Sequence, residues 1–232
     1  MAWVAGVDGC RAGWVVVLVE TSPAGAQSPH VKLRERFDEI LALSPEPAIL
    51  AVDIPIGLLD GTQAMARECD RLVRKKLAAR ACCVFNPPTR GLLQSVNYEE
   101  VRSHGMSKQT FGIMPKIREV DRFMTPKRQD TVFESHPELA FRSLAGEPMK
   151  FNKKTSKGRE ERLRTLDNLF PGISREWKNS LQAFSRREIA PDDLLDAYVL
   201  AWTALCIAEK KAQRVPAEPP IDSRGLRMEI WY

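Results

Sequence analysis

The chain has no C-x-x-C spacing, no G-x-x-x-x-G-K-[ST] or G-x-G-x-x-G run, only three histidines, and no apolar stretch long and uninterrupted enough to span a bilayer. Each absence removes a class. The five cysteines, Cys10, Cys69, Cys82, Cys83 and Cys206, read as reduced, mostly buried thiols rather than a zinc site or a disulfide frame. Without the glycine-rich turns, a P-loop NTPase or dinucleotide enzyme has no phosphate cradle. With no positively charged leader ahead of a long apolar run, no membrane association is expected and the cytoplasm is the expected location.

What is present is a 232-residue chain with 44% hydrophobic residues, enough to bury one substantial core. The expectation is a single domain over residues 1–232 with a largely helical insertion around 60–128. The formal charge of +5 is modest, but the basic residues bunch at Arg71 to Arg80, Lys150 to Arg164 and Lys210 to Arg214. Such stretches suit nucleic acid or another phosphorylated substrate, and that reading stands ahead of ordinary solvated helix faces. A homo-oligomer is left open.

Trp3 to Val7 and Trp14 to Val19 are apolar strands joined by a glycine turn, an antiparallel hairpin, with a third strand around Val31 to Leu33. Ala48 to Val52 is a continuous apolar run, the pattern of a parallel strand covered on both faces. A helix is expected from Thr62 to about Ala81, a helix after Ser107 interrupted by Pro115, a strand over Thr131 to Glu134, and helices over Glu138 to Leu144 and Gly158 to Leu169. Pro191 to Gln213 is the strongest helix, with Pro191 in its first turn and Asp192 and Asp193 at its positive end. Leu226 to Ile230 alternates with period two and suggests an edge strand. This order predicts an α/β fold: a ribonuclease H-like mixed sheet with an antiparallel hairpin start, parallel later strands and helices on both faces.

The chemistry lies in carboxylates at the ends of these elements. Asp8, Asp53 and Glu134 each follow a β-type run, and Asp193 and Asp196, three apart, share one face of the last long helix. In an open α/β sheet such positions converge at the carboxyl edge of the strands. Crowded carboxylates repel, and a divalent cation lets them all stay ionised, so Mg²⁺ or Mn²⁺ is the expected cofactor. Asp8 and Asp53 also suit turn and cap roles, and Asp193 suits ordinary helix-start stabilisation. Asp196, one turn in and followed by apolar residues, has less structural excuse. His136, in Glu134-Ser-His-Pro-Glu138, reads equally as a proton shuttle and as a hydrogen-bonded structural residue. Arg11, Lys108, Lys116, Arg118, Lys153 and Lys154 are candidate phosphate contacts.

Several separated motifs in this order resemble one family: Val7-Asp-Gly-Cys-Arg-Ala-Gly-Trp14, Asp53-Ile-Pro-Ile-Gly-Leu58, Arg67-x-x-Asp70, Ser107-Lys-Gln109, Pro115-Lys-Ile-Arg-Glu-Val-Asp121, Glu134-Ser-His-Pro-Glu138, Asp192-Asp-Leu-Leu-Asp-Ala197 and the closing Gly225 to Trp231. The chain is similar to the domain of unknown function 429 family, described as predicted ribonuclease H-like nucleases. Ala12 stands where a second glycine is usual and Asn86 where proline is common. The resemblance implies metal-dependent phosphodiester cleavage, with Asp8 as the first-strand carboxylate, Asp53 beside it, and Asp193 and Asp196 as the paired helix carboxylates. It implies one ion held by Asp8 with Asp193 or Asp196 and a second near Asp53 or Glu134. The alternatives are a nucleotide or small-phosphate hydrolase or phosphotransferase of the same fold, and a noncatalytic nucleic-acid-binding or scaffold protein.

Overall fold

In a computed structural model, which describes residues 2–21 and 29–232, the elements run in chain order as follows: β1 (Ala2–Cys10), β2 (Gly13–Thr21), β3 (His30–Arg34), α1 (Phe37–Leu41), β4 (Pro47–Val52), α2 (Glu68–Leu77), α3 (Tyr98–Arg102), α4 (Lys108–Phe123), β5 (Val132–Glu134), α5 (Pro137–Ala145), α6 (Ser156–Asp167), α7 (Ile173–Ala183), α8 (Pro191–Ala208), β6 (Arg214–Val215) and β7 (Ile230–Trp231). They divide into two compact units. The first comprises Met1–Asp53, Ser135–Ala212 and Tyr232, and the second Ile54–Glu134 and Gln213–Trp231.

In the first unit β1 pairs antiparallel with β2 from Ala2↔Thr21 to Cys10↔Gly13, and β2 pairs antiparallel with β3. On its other side β1 pairs parallel with β4, ending at Val7↔Val52. The period of two then sorts the side chains onto two faces. Val4, Gly6, Asp8 and Cys10 share a face with Val15, Val17 and Val19 of β2 and Ala51 of β4, and the apolar members join one core with residues of α5, α6, α7 and α8. Trp14 points to the opposite face, where its ring meets Phe37 of α1 at 5.4 Å. Helices therefore cover both faces, and the chain has the expected ribonuclease H-like arrangement of an antiparallel hairpin followed by a parallel strand.

The helix that matters most is α8. From Leu194 to Ala201 every residue is buried, as are Thr203 and Ala204, the signature of a helix enclosed on nearly all sides. It approaches β1 so closely that only glycine fits between: a Cβ on Gly6 would lie 2.1 Å from both the Ala197 carbonyl oxygen and the Ala201 nitrogen. That closeness places the first turns of α8 over the carboxyl end of β1.

In the second unit a buried arginine organises the chain. Arg67, 1% exposed, pairs with Asp70 at 2.8 Å and Glu134 at 2.5 Å, and donates to the carbonyl oxygens of Ile56 and Gly57. A second cluster joins Arg90 and Arg224 to Asp121, and Arg90 to Asp222, whose carboxylate also accepts from the Leu58 N–H at 3.0 Å.

Several boundaries differ from those read in the sequence. α2 starts at Glu68 rather than after Thr62, because Asp70 accepts from the Arg67 N–H and closes the helix start there. α4 runs unbroken through Pro115, which costs the helix one backbone donor but not its continuity. α6 begins two residues early, capped by Thr155 accepting from the Gly158 N–H, and α8 ends at Ala208. The expected strand at Leu226 to Ile230 shrinks to β7, which pairs with β6. Of the cysteines, Cys10 and Cys69 are buried, Cys83 and Cys206 half-buried and Cys82 exposed, so burial of the thiols is less general than expected.

Candidate carboxylate site

Because Val7 and Val52 are aligned in parallel strands, the next residues, Asp8 and Asp53, stand side by side, and the Asp53 N–H donates to the Val7 carbonyl oxygen at 3.0 Å. Both lie on the face covered by α8, by the alternation that places Gly6 and Ala51 there. Asp196 comes to the same place from α8, one turn inside the helix and 1% exposed. The strand ends and the helix thus bring three carboxylates together in the first unit.

Burial and neighbouring charge set their electrostatics. Burial, then the neighbouring Asp53 and Asp196 carboxylates, raise Asp8 well above the ordinary range for an aspartate, with Lys153 opposing. Burial likewise pushes Asp196 up, and Lys153 pulls it back only in part. Asp193 is pushed to about 6 by burial, although its carboxylate accepts the Ala190 N–H at 3.1 Å and so does helix-start work as well. Asp8 also serves its turn, accepting from the Gly9 N–H at 2.7 Å. The structural and chemical readings of Asp8 and Asp193 therefore coexist.

The cation at this cluster is Lys153. Its Nζ is bonded to Oδ2 of Asp196 and lies 3.9 Å from Asp192. Burial would lower its pKa, but Asp196 and Asp8 outweigh burial and hold the ammonium firmly protonated. Sequence reasoning placed Lys153 outside, gripping a backbone phosphate; the structure turns it inward.

Glu134, expected beside Asp8 at a strand end, lies in the second unit, and both its oxygens are engaged by Arg67, while Oε2 also accepts the Ile56 N–H at 2.6 Å. Burial pushes it up to about 7, Arg67 opposing. A strand-end carboxylate already satisfied by a buried guanidinium has a structural reason to be there.

His136 belongs to the first unit. It precedes α5, and its carbonyl oxygen accepts from the N–H groups of Leu139 and Ala140. It follows Ser135, whose N–H donates to the Val52 carbonyl oxygen at 2.9 Å, so the histidine enters next to the end of β4 that carries Asp53. Arg11 and Lys154 are exposed in the first unit. Lys108, Lys116 and Arg118 belong to the second, where Arg118 holds the Leu93 and Ser95 carbonyl oxygens at 2.5 and 2.7 Å and is a loop brace rather than an open phosphate contact.

One pair escaped the sequence reading. Glu138, taken as a helix-start residue, is buried against Arg162 at 2.5 Å, and Arg162 is fully buried. The signal was present: Arg162 sits four residues from both Gly158 and Leu166, on the buried stripe of α6, where an arginine needs a partner.

The donors suit a hard divalent ion in kind, since carboxylate oxygens are what such ions take. Oδ1 of Asp196 is buried with no hydrogen-bond partner. Among the described residues, however, no three His, Cys, Asp or Glu side chains are grouped to hold an ion as they stand. With Glu134 held by Arg67, Asp8, Asp53 and Asp196 are the carboxylates that remain close together at the strand ends and on α8.

Comparison with curated proteins finds no match. Among solved structures, the chain is similar to a Thermus thermophilus RuvC structure, with 14% identity, 90% of this chain and 97% of the other covered, and a TM-score of 0.39. It is also similar to T. thermophilus RuvC in complex with Holliday junction substrate, with 13% identity, 91% and 98% covered, and a TM-score of 0.39. The family profile described as "Protein of unknown function (DUF429)" matches residues 6–221, which include the carboxyl end of β1 and all of β4 and α8, and the chain therefore belongs to that family.

Proposed function

We propose that this protein is a divalent-metal-dependent hydrolase of phosphodiesters in nucleic acid, with Asp8, Asp53 and Asp196 as its central carboxylates. The observation that carries this reading is the gathering of buried Asp8 and Asp196 with half-buried Asp53 at the carboxyl ends of β1 and β4, where burial and then the neighbouring carboxylates raise Asp8 well above the ordinary range although Lys153 opposes. Mg²⁺ or Mn²⁺ bound there would polarise a phosphoryl oxygen and lower the pKa of a water.

The chain's own residues then divide the work. Asp8 and Asp196, with Asp53 alongside, would hold the ion, and Asp196 has an oxygen without a hydrogen-bond partner. Asp193, pushed to about 6, is suited to take a proton near neutral pH, and His136 beside the end of β4 is the candidate to pass it on. Exposed Lys150, Lys154 and Lys157 lie along the segment that delivers Lys153, and supply positive charge for a phosphate backbone.

The test is a cleavage screen of purified protein with Mg²⁺ or Mn²⁺ on single-stranded, duplex and branched nucleic acids, beside Asp8→Asn and Asp196→Asn. Each amide keeps the shape and removes a charge, so activity should fall at least roughly a hundredfold. Activity that survives both substitutions would sink the assignment. Cleavage confined to nucleotides or small phosphate esters, lost in both variants, would keep the carboxylate site and remove nucleic acid as substrate.

A further inference from the structure

Two basic segments of the first unit lead to the start of α8, and only one of them is a basic run in the sequence. The first is Lys150 to Lys157, which meets the helix through Lys153, bonded to Asp196 and 3.9 Å from Asp192. Arg162 holds it in place, donating to the carbonyl oxygens of Phe151 and Gly158 while Glu138 holds the arginine. Gly158 lets the segment fold back tightly, since a Cβ there would lie 2.0 Å from the Asn152 carbonyl oxygen.

The second is the turn from Ser185 to Glu188. The Glu188 and Ile189 N–H groups donate to the Ser185 carbonyl oxygen at 2.9 and 3.1 Å, and the Ser185 N–H donates to the Glu188 carboxylate at 2.8 Å. Ile189, 1% exposed, anchors the turn, and Pro191 opens α8 just after it. Arg186 and Arg187 are its two central residues, both exposed. The Ala12 N–H donates to the Glu188 carbonyl oxygen at 3.2 Å and so ties this turn to the one between β1 and β2. Exposed Arg11 and Arg187 each stand one residue, about 3.8 Å of chain, from that bond. Among the described residues, none of the three arginines makes an ion pair or a side-chain hydrogen bond, and the acid of the turn, Glu188, is taken by the Ser185 N–H. Arginines of the basic runs are engaged by contrast: Arg71 by the Ala66 carbonyl oxygen, Arg74 by Val84 and Asn86, and Arg159 by the Lys154 carbonyl oxygen.

We propose that Arg11, Arg186 and Arg187 form a surface that grips the phosphate backbone of nucleic acid beside the carboxylate cluster. It deepens the proposed function and rests on it only for the choice of partner. A guanidinium forks two phosphate oxygens at once, and one without an acid partner gives up no internal ion pair to do so. Arg11 follows Asp8 within the same turn of chain, and Arg187 closely precedes the helix that carries Asp196, so the surface adjoins both. A small phosphate ester offers its charge to one segment. A duplex carries a charge about every 1.7 Å along its axis and can engage the arginines and the Lys150 to Lys157 segment together.

The experiment is fluorescence anisotropy of labelled duplex DNA and duplex RNA with the whole protein in EDTA, across a salt series, so that neither an ion nor cleavage enters. On the duplex bound more tightly, Arg11→Gln/Arg186→Gln/Arg187→Gln should flatten the slope of log affinity against log salt by at least about 2, since each phosphate contact contributes about 0.9. Arg175→Gln/Lys178→Gln/Lys210→Gln removes the same charge from exposed positions elsewhere on the unit and should flatten it by less than half as much. If the first variant does not fold, Arg186→Gln/Arg187→Gln decides in its place, with a flattening of at least about 1. A smaller flattening, a comparable one in the charge-matched variant, or no binding of either duplex by wild type would each overturn the proposal. Binding to phosphatidylserine vesicles without duplex binding would overturn it in favour of a membrane surface. The expected flattening in a protein that cuts nothing with Mg²⁺ would leave the surface standing and remove the nuclease reading. Cleavage by wild type with an unaltered slope in the variant would do the reverse.

Discussion

Gly6 of β1 and Ala197 of α8 meet backbone to backbone: a Cβ added to the glycine would fall 2.1 Å from the alanine's carbonyl oxygen. The contact fixes how far α8 stands from the sheet, and with it the approach of Asp196, one residue earlier, to Asp8. Gly6→Ala must push the helix outward, because the obstructing atoms are backbone and cannot rotate away. The expected cost is at least about 3 kcal/mol, the upper end of the range for overpacking, seen as a fall in Tm of about 6–12 °C. Mn²⁺ affinity should weaken in the same variant, and unchanged affinity would show that the helix position does not set the site.

Asp8 is a charge the fold would be more stable without. Burial and the Asp53 and Asp196 carboxylates all disfavour its ionised form. Asp8→Asn keeps an oxygen to accept the Gly9 N–H and removes the repulsion. Metal-free Asp8→Asn should therefore be more stable than wild type by about 1 kcal/mol, the usual gain when a functional group is sacrificed. Thermal melts with and without Mn²⁺ check it: the ion should raise the Tm of wild type and leave that of the variant unmoved.

Arg67 and Glu134 supply a contrast inside the second unit. Arg67→Met leaves two buried carboxylates without their counter-charge and should cost about 3–5 kcal/mol. Glu134→Gln should leave Mn²⁺ affinity unchanged, because that carboxylate belongs to the arginine. The pH dependence has a definite sign. Burial raises Glu134 from the usual 4.5 to about 7, so its stabilising contribution is full below pH 4.5 and is lost as pH rises through 7. The unfolding free energy of wild type relative to Glu134→Gln should fall across that window in parallel denaturant titrations.

Phe151 is the aromatic to test as a base platform. Within the basic run from Lys150 to Arg164, Phe151 is 44% exposed with Lys157 Nζ 5.9 Å from its ring centre. Phe151→Ala should weaken single-stranded nucleic acid binding roughly tenfold and duplex binding far less. Lys154→Ala should lower both alike and reduce the salt slope by about 1. Fluorescence anisotropy across a salt series separates the two behaviours.

What could be read from the sequence followed from local rules. The Asp8 and Asp53 pairing was visible because apolar runs before each fix strand ends, and parallel pairing of those runs forces the residues after them together. Asp196 was visible because a carboxylate among apolar helix residues is costly. What failed were choices made by partners far along the chain. Glu134 looked like Asp8 until Arg67 claimed both its oxygens, and the separation of 67 residues leaves no local trace. Lys153 looked like any lysine of a basic run, because direction inward or outward depends on the Glu138, Arg162 and Gly158 contacts that lock its segment. Pro115 was given too much weight: losing one hydrogen bond does not end a helix with four buried residues on its core side.

The close seating of α8 on β1 has a consequence in time. β1 is made nearly two hundred residues before the helix that completes its face and the carboxylate at Asp196. Until then β1 and β2 have no cover on that face. The carboxylate cluster cannot assemble before α8 is made, and its formation is a long-range event of the kind that is slow and exposes apolar strand surface while it waits.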